Sequence, residues 1–356
     1  MTTNHAIRDI GQSVWLDNIT RRLLTSGTLA RYIADLGVTG LTSNPTIYDK
    51  AIGGSEDYDA QIAEAAAAGV PGEEIFFTLA LDDLTQAADL FRPVYDATDG
   101  VDGFVSLEVS PELAYDAATT LAEAKRLWAK GARPNLLIKI PATPEGLVAI
   151  EDAIFAGIPI NATLIFSPAQ NLACAEAYTR GIERRVAAGL SAYVPSVASL
   201  FISRWDGAVT GKVPAELNLQ LGLAVGRRAY ADYVAFFASE RWQALRAVGA
   251  RPQRLLFAST GTKDPTASPV LYVAGLAGPD TVNTMPEDTM LAAVTDDSAV
   301  EALAADPSAA DGMLARFAAA GVDVDALGLD LQQKGAASFV TSWTSLLARV
   351  GEKSGS

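Results

Sequence analysis

Lys139 stands inside an apolar run, Leu136-Leu137-Ile138-Lys139-Ile140-Pro141. A long cation with leucine and isoleucine on both sides must either find a partner or give up its proton, because desolvation disfavours its charged form. A free amine in such a place is a nucleophile toward carbonyl carbon, the starting point of Schiff-base chemistry. The competing reading is an edge-strand lysine whose stem packs on apolar neighbours while its head reaches water. The residue alone does not choose between them.

Other polar residues close similar short runs: Asp17, Asn44, Glu108, Asn161 and Thr163, Ser199 and Ser259. Each has an ordinary structural reading. Asp17 and Asn44 suit helix caps or turns, Glu108 suits a surface carboxylate beside Pro111, and Thr163 and Ser199 suit hydroxyls that only satisfy backbone groups. Together they are more specific, because independent capping would not pick the same end of successive runs. A lysine with two carboxylates and no nearby histidine narrows the reaction class. The amine condenses with a ketone, and the iminium acts as an electron sink for breaking a neighbouring carbon–carbon bond. One carboxyl serves proton transfer in condensation and the other serves the departing hydroxyl. His5 is the only histidine, which removes the central residue of a Ser-His-Asp or Cys-His nucleophile and of an imidazole zinc site.

Short apolar or alternating runs at 13–17, 40–44, 103–109, 136–141, 158–165, 193–199, 255–259 and 281–285 predict eight strands. Helical spacing over 73–94, 111–129, 144–156, 169–187 and 217–248 places helices between them. This alternation predicts α/β architecture: a single-domain (β/α)8 barrel spanning 1–356, the polar strand ends forming the active-site face. Helical patterns at 312–320 and 335–349 predict additional C-terminal helices that cap or brace the barrel, with a frayed tail at 351–356.

With 356 residues, 49% of them hydrophobic, the chain can bury a large core. The lone cysteine, Cys174, permits no internal disulfide. Residues 1–12 are polar, and charges interrupt every apolar run before about 18 residues, so a cytoplasmic protein with no membrane span is expected. A formal charge of −15 repels nucleic acid and acidic lipid. An anionic substrate must then be held by a few focused cations.

Six segments in order resemble the transaldolase family: Trp15-Leu16-Asp17, Gly40-Leu41-Thr42-Ser43-Asn44-Pro45-Thr46, Ser106-Leu107-Glu108-Val109, Leu137-Ile138-Lys139-Ile140-Pro141-Ala142-Thr143-Pro144-Glu145-Gly146, Asn161-Ala162-Thr163-Leu164-Ile165-Phe166-Ser167 and Ser199-Leu200-Phe201-Ile202-Ser203-Arg204. The resemblance implies a (β/α)8 barrel of the Schiff-base aldolase type, with Lys139 retaining dihydroxyacetone as a Schiff base. It implies that Asp17 moves the proton of the donor's carbon-4 hydroxyl and that Glu108, with Thr163 and a water, serves carbinolamine formation and loss. Asn44 and Asn161 would hold the hydroxyls of the three-carbon fragment, Ser199 and Arg204 the phosphate, and Phe201 an aromatic wall. After the seventh strand the chain reads Ala258-Ser259-Thr260-Gly261-Thr262-Lys263, where the better-known branch has a serine and an arginine. Lys263 takes that place as a point charge, or is an exposed lysine on a glycine turn.

The implied activity is transfer of dihydroxyacetone between sedoheptulose 7-phosphate and glyceraldehyde 3-phosphate in the pentose phosphate pathway, without metal or organic cofactor. Expected partners are phosphorylated ketose and aldose substrates, and a homodimer is compatible with the sequence. The rivals are an aldolase that releases free dihydroxyacetone, a sugar-phosphate isomerase in which Lys139 is only electrostatic, and a non-catalytic sugar-phosphate sensor.

Overall fold

The computed structural model describes residues 1–355. Its strands are β1 (Ser13–Leu16), β2 (Gly40–Thr42), β3 (Val105–Glu108), β4 (Leu136–Pro141), β5 (Ile160–Ile165), β6 (Ser196–Phe201), β7 (Arg254–Ala258) and β8 (Val282–Met285). They pair in sequence order, all parallel, and β8 returns to β1 to close the barrel. Parallel strands covered by helices are buried on both faces, which is why these runs are nearly continuously apolar.

Four strands, β3, β5, β6 and β8, begin later than the hydrophobic pattern predicts, and prolines account for two of them. The runs at 158–165 and 193–199 contain Pro159 and Pro195, which have no N–H for a ladder. Their carbonyls still accept from Ile138 N (2.9 Å) and Ile160 N (3.1 Å), and regular pairing starts just after each proline. β6 then runs on past Ser199 to Phe201.

Inside the barrel the period-two rule sets a change of character along the axis. Trp15, Phe104, Leu137, Val197, Leu256 and Val282 form one buried apolar cluster. Two residues further along the same runs stand Asp17, Ser106, Lys139, Ser199, Ala258 and Thr284. The apolar residues form a floor, and Gly40 leaves room for it, since a Cβ there would lie 2.6 Å from the Trp15 ring.

Three strands hand over to their helices by a cap followed by proline. Asn44 precedes Pro45–Gly53, Thr143 precedes Pro144–Ala156, and Ser167 precedes Pro168–Ala187 with a full capping box. Proline at the first helical position gives up an N–H that would have no partner, and its fixed φ starts the helix at once. The long pattern at 217–248 instead divides into Leu221–Ala238 and Glu240–Ala247, because Ser239 leaves helical geometry and caps the second helix.

The largest departure from the sequence pattern lies at the C-terminus. The pattern at 335–349 is the middle of one 30-residue helix, Val324–Lys353, that runs back across the carboxyl mouth of the barrel. The tail expected to fray from Gly351 continues this helix to Lys353, whose Nζ donates to Ser55 O (2.9 Å) and pairs with Asp59. Ser356, the end of that tail, lies outside the described residues.

Gly146 fixes how closely the helix after β4 approaches its strand. A Cβ there would lie 1.8 Å from Pro141 O, on backbone that cannot swing away. Alanine in a helix ordinarily gains about 1 kcal/mol over glycine, but overpacking costs about 1–3 kcal/mol. With the obstacle being backbone, Gly146→Ala is expected to destabilise the protein by about 1–3 kcal/mol. Urea denaturation measures this, and an unchanged or raised midpoint would contradict it.

Candidate active site

β3, β4 and β5 align Glu108, Lys139 and Asn161 as successive register partners. Lys139 and Glu108 are each 4% exposed. Lys139 Nζ lies 3.1 Å from Glu108 Oε2 and donates to Ser43 O at 3.1 Å. The lysine therefore finds a partner and does not reach for water as an edge-strand residue would. Glu108 is not a surface carboxylate, and neither of its oxygens has a well-aligned donor among the described residues. Burial pushes its carboxyl above the usual range, the Lys139 charge opposes this, and the Asp17 charge adds to it.

Asp17 lies just beyond β1 and caps no helix. Thr20 caps Arg21–Thr25 instead. The Asp17 carboxylate accepts from Thr42 Oγ1 (2.7 Å), and the Thr42 and Thr284 hydroxyls bond at 2.8 Å. Enclosure in the barrel mouth raises its carboxyl above the ordinary 3.8, against the pull of Lys139, the Thr42 hydrogen bond and Lys263. Asp17, Thr42, Lys139, Ser199, Phe201, Ser259, Lys263 and Thr284 all border one cavity of about 110 Å³.

Asn161 donates to Ser106 Oγ (3.0 Å) and accepts from Ser199 Oγ (2.7 Å). The Ser199 hydroxyl thus bonds the Asn161 amide beside Lys139 while bordering the same cavity as Ser259 and Lys263. Asn44 is a helix cap after all: its Oδ1 accepts from Ile47 N at 3.0 Å. Its amide also borders a cavity of about 10 Å³ next to Glu108, the size of one water. Thr163 is fully buried, with a hydroxyl that has no hydrogen-bond partner among the described residues.

Arg204 follows β6 at the start of helix Ser203–Val209, half-buried, with its guanidinium 5.5 Å from the Phe201 ring centroid. It makes no ion pair with any described residue, and burial lowers its proton affinity. Ser203 N donates to Ser259 O (3.0 Å), and the two hydroxyls are 2.9 Å apart, so the β6 and β7 ends are tied together beside Arg204. Lys263 borders the cavity from an exposed loop. The arrangement combines an amine for carbonyl addition, two carboxyls with raised proton affinity and an unpaired guanidinium for an anion.

The family model for transaldolase/fructose-6-phosphate aldolase matches residues 14–350. The chain belongs to the transaldolase family. It is 46% identical to the transaldolase of Thermobifida fusca (strain YX) over 98% of this chain and 97% of that protein. It is 43% identical to the transaldolase of Saccharopolyspora erythraea over 99% of each, and 42% identical to that of Thiobacillus denitrificans over 99% of this chain and all of the relative. The transaldolase family resemblance seen in six segments thus extends over nearly the whole enzyme.

Sequence reasoning missed Thr42, Ser106 and Thr284, which hold Asp17 and Asn161. The signal was available for Ser106, which stands two residues before Glu108 and so faces the same side.

The raised Asp17 carboxyl has a consequence for stability. Between its unfolded and folded proton affinities the native state binds more protons, so its ionisation weakens the fold as pH rises through the folded pKa. The effect is absent well below the unfolded value of 3.8 and complete above the folded one. Asp17→Asn is expected to melt higher than wild type at pH 8, with the gap closing on acidification. Thermal melts across that range measure it, and a variant less stable at pH 8 would contradict it.

Proposed function

We propose that this chain is a cytoplasmic transaldolase of the pentose phosphate pathway. It moves a dihydroxyacetone unit reversibly from sedoheptulose 7-phosphate to glyceraldehyde 3-phosphate, giving erythrose 4-phosphate and fructose 6-phosphate. The observation that carries this reading is the buried Lys139 beside Glu108, with Asp17 bordering the same small cavity.

The Lys139 amine adds to the ketose carbonyl, and Glu108, with Thr163 and a water, supplies the proton that lets the carbinolamine oxygen leave as water. The iminium draws in the electron pair of the adjacent carbon–carbon bond as Asp17 takes the proton from the carbon-4 hydroxyl. The aldose departs and the three-carbon enamine stays on Lys139. An incoming aldehyde reverses each transfer. The iminium is itself the electron sink, so these steps call on no further cofactor.

Asn161 retains one N–H and one lone pair for the three-carbon fragment, and the Asn44 amide nitrogen is left free by its cap. Arg204, Ser259 and Lys263 form the phosphate site. In this role Lys263 is a point charge, whereas Arg204 offers a bidentate fork. Phe201 supports Arg204 and forms part of the wall.

Borohydride reduction with fructose 6-phosphate, followed by peptide mapping, tests the chemistry. A stable adduct at Lys139 is expected in the wild type and none in Lys139→Ala, and a reducible adduct in that variant would overturn the assignment. Sustained release of free dihydroxyacetone without an acceptor would favour the aldolase reading instead.

The phosphate assignment is tested separately. Removing one partner of a buried charged contact costs about 2–5 kcal/mol, roughly 30-fold to several thousand-fold in affinity. Arg204→Ala should raise KM on that scale for fructose 6-phosphate and much less for fructose. An equal proportional loss for both sugars would show that Arg204 does not read the phosphate.

A further inference from the structure

Lys139 Nζ lies over the ring of Phe339, 5.7 Å from its centroid. Phe339 is buried and comes from Val324–Lys353, far in sequence from every strand. Three contacts hold that helix in place. Gln332 Nε2 donates to Ala142 O (3.0 Å) and Leu164 O (2.9 Å), bridging the ends of β4 and β5. Gly335 lets the helix approach, since a Cβ there would meet Leu164 at 3.1 Å and Phe166 at 3.3 Å. Trp343 packs on Phe76 and Phe77, with centroids 5.1 and 5.6 Å away.

The groups facing Nζ are therefore a carboxylate, a backbone carbonyl and an aromatic face. When the Nζ–C bond forms, the ketone oxygen leaves as water with one proton from the nitrogen and one from Glu108, and the nitrogen remains a cation with a single N–H. An ammonium has three donors, so the hydrogen bond to Ser43 O and the contact with Glu108 must be rearranged at this step. The quadrupole of a ring attracts charge without requiring an N–H. The ring's attraction, like the Coulomb attraction of the carboxylate, therefore survives the loss of donors, whereas the hydrogen bond to Ser43 O depends on them.

We propose that Phe339 is a further catalytic residue, whose ring face stabilises the cationic iminium on Lys139. The inference rests on the Schiff-base reading above. It assigns the C-terminal helix a direct part in the reaction, beyond bracing the barrel.

The test replaces Phe339 with 4-fluoro-, 3,4,5-trifluoro- and pentafluorophenylalanine, which keep its shape while progressively weakening the negative ring face. Phe339→Trp and Phe339→Leu are prepared beside them. The readout is the fraction of Lys139 trapped by borohydride at fixed fructose 6-phosphate. The Schiff-base equilibrium is expected to fall stepwise along the fluorinated series, by about 2- to 30-fold overall. Tryptophan should retain trapping and leucine should lose it. Equal trapping across the fluorinated series, or full retention in the leucine variant, would show that Phe339 only packs and would overturn the proposal. Wild-type protein with no adduct at Lys139 would overturn the Schiff-base reading along with it.

Discussion

The ion pair between Lys139 and Glu108 imposes the constraint around which the rest of this barrel is arranged. Two charges on neighbouring strands, each 4% exposed, lose most of their hydration. Their mutual attraction does not by itself repay that loss, whereas removing either partner would leave an uncompensated buried charge at about 3–5 kcal/mol. Such a pair is poor as a source of stability, and the proposed Schiff-base chemistry gives it another use. Its surroundings must be stiff enough to stop both side chains relaxing toward water. The in-register ladder of β3, β4 and β5 supplies that stiffness from the sides, the apolar floor from below and the C-terminal helix from above.

Charge elsewhere in the molecule sharpens the contrast. Several outer-helix arginines are paired: Arg126 with Glu74 and Glu123, Arg184 with Glu151 and Asp152, Arg241 with Glu176 and Glu183. Arg204 is left without an ion pair to any described residue, in a chain of formal charge −15. A half-buried guanidinium without an ion pair is free to take an anion, which is the property the proposed phosphate site draws on. The carboxyls nearest the mouth, Asp17 and Glu108, both take up protons more readily than usual.

How much of this was legible in the sequence depends on the range of each interaction. Strand count and order, Lys139, Glu108 and the cap–proline handovers follow from local chemistry, and all are readable within a few residues. Pro159 and Pro195 carry their meaning just as locally, and weighing their missing N–H groups would have corrected the strand starts. The bond from Ser199 to Asn161 was not legible, because sequence order sets Ser199 near Arg204 while the pleat turns its hydroxyl toward β5. Phe339 and Gln332 left no local trace. They lie on an amphipathic helix whose spacing shows that one face is buried, but not that the face meets β4 and β5.

That helix also bears on a strained stretch of backbone. β5 shifts register between Ala162 and Ile165, and Leu164 within the bulge has a φ of 57°, a conformation unfavourable for a branched side chain. Strain of this kind persists only where the surroundings over-determine it. Gln332 accounts for it here, because its amide takes the Leu164 carbonyl that the bulge turns out of the ladder and joins it to Ala142 at the end of the lysine strand. Thr163, with its unpaired buried hydroxyl, is the residue immediately before the strained one. The contact that seats Phe339 over Lys139 therefore also holds the strand end that carries Thr163. The placement of Phe339 and of Thr163 consequently depends on the same helix, and loosening that helix must disturb both together.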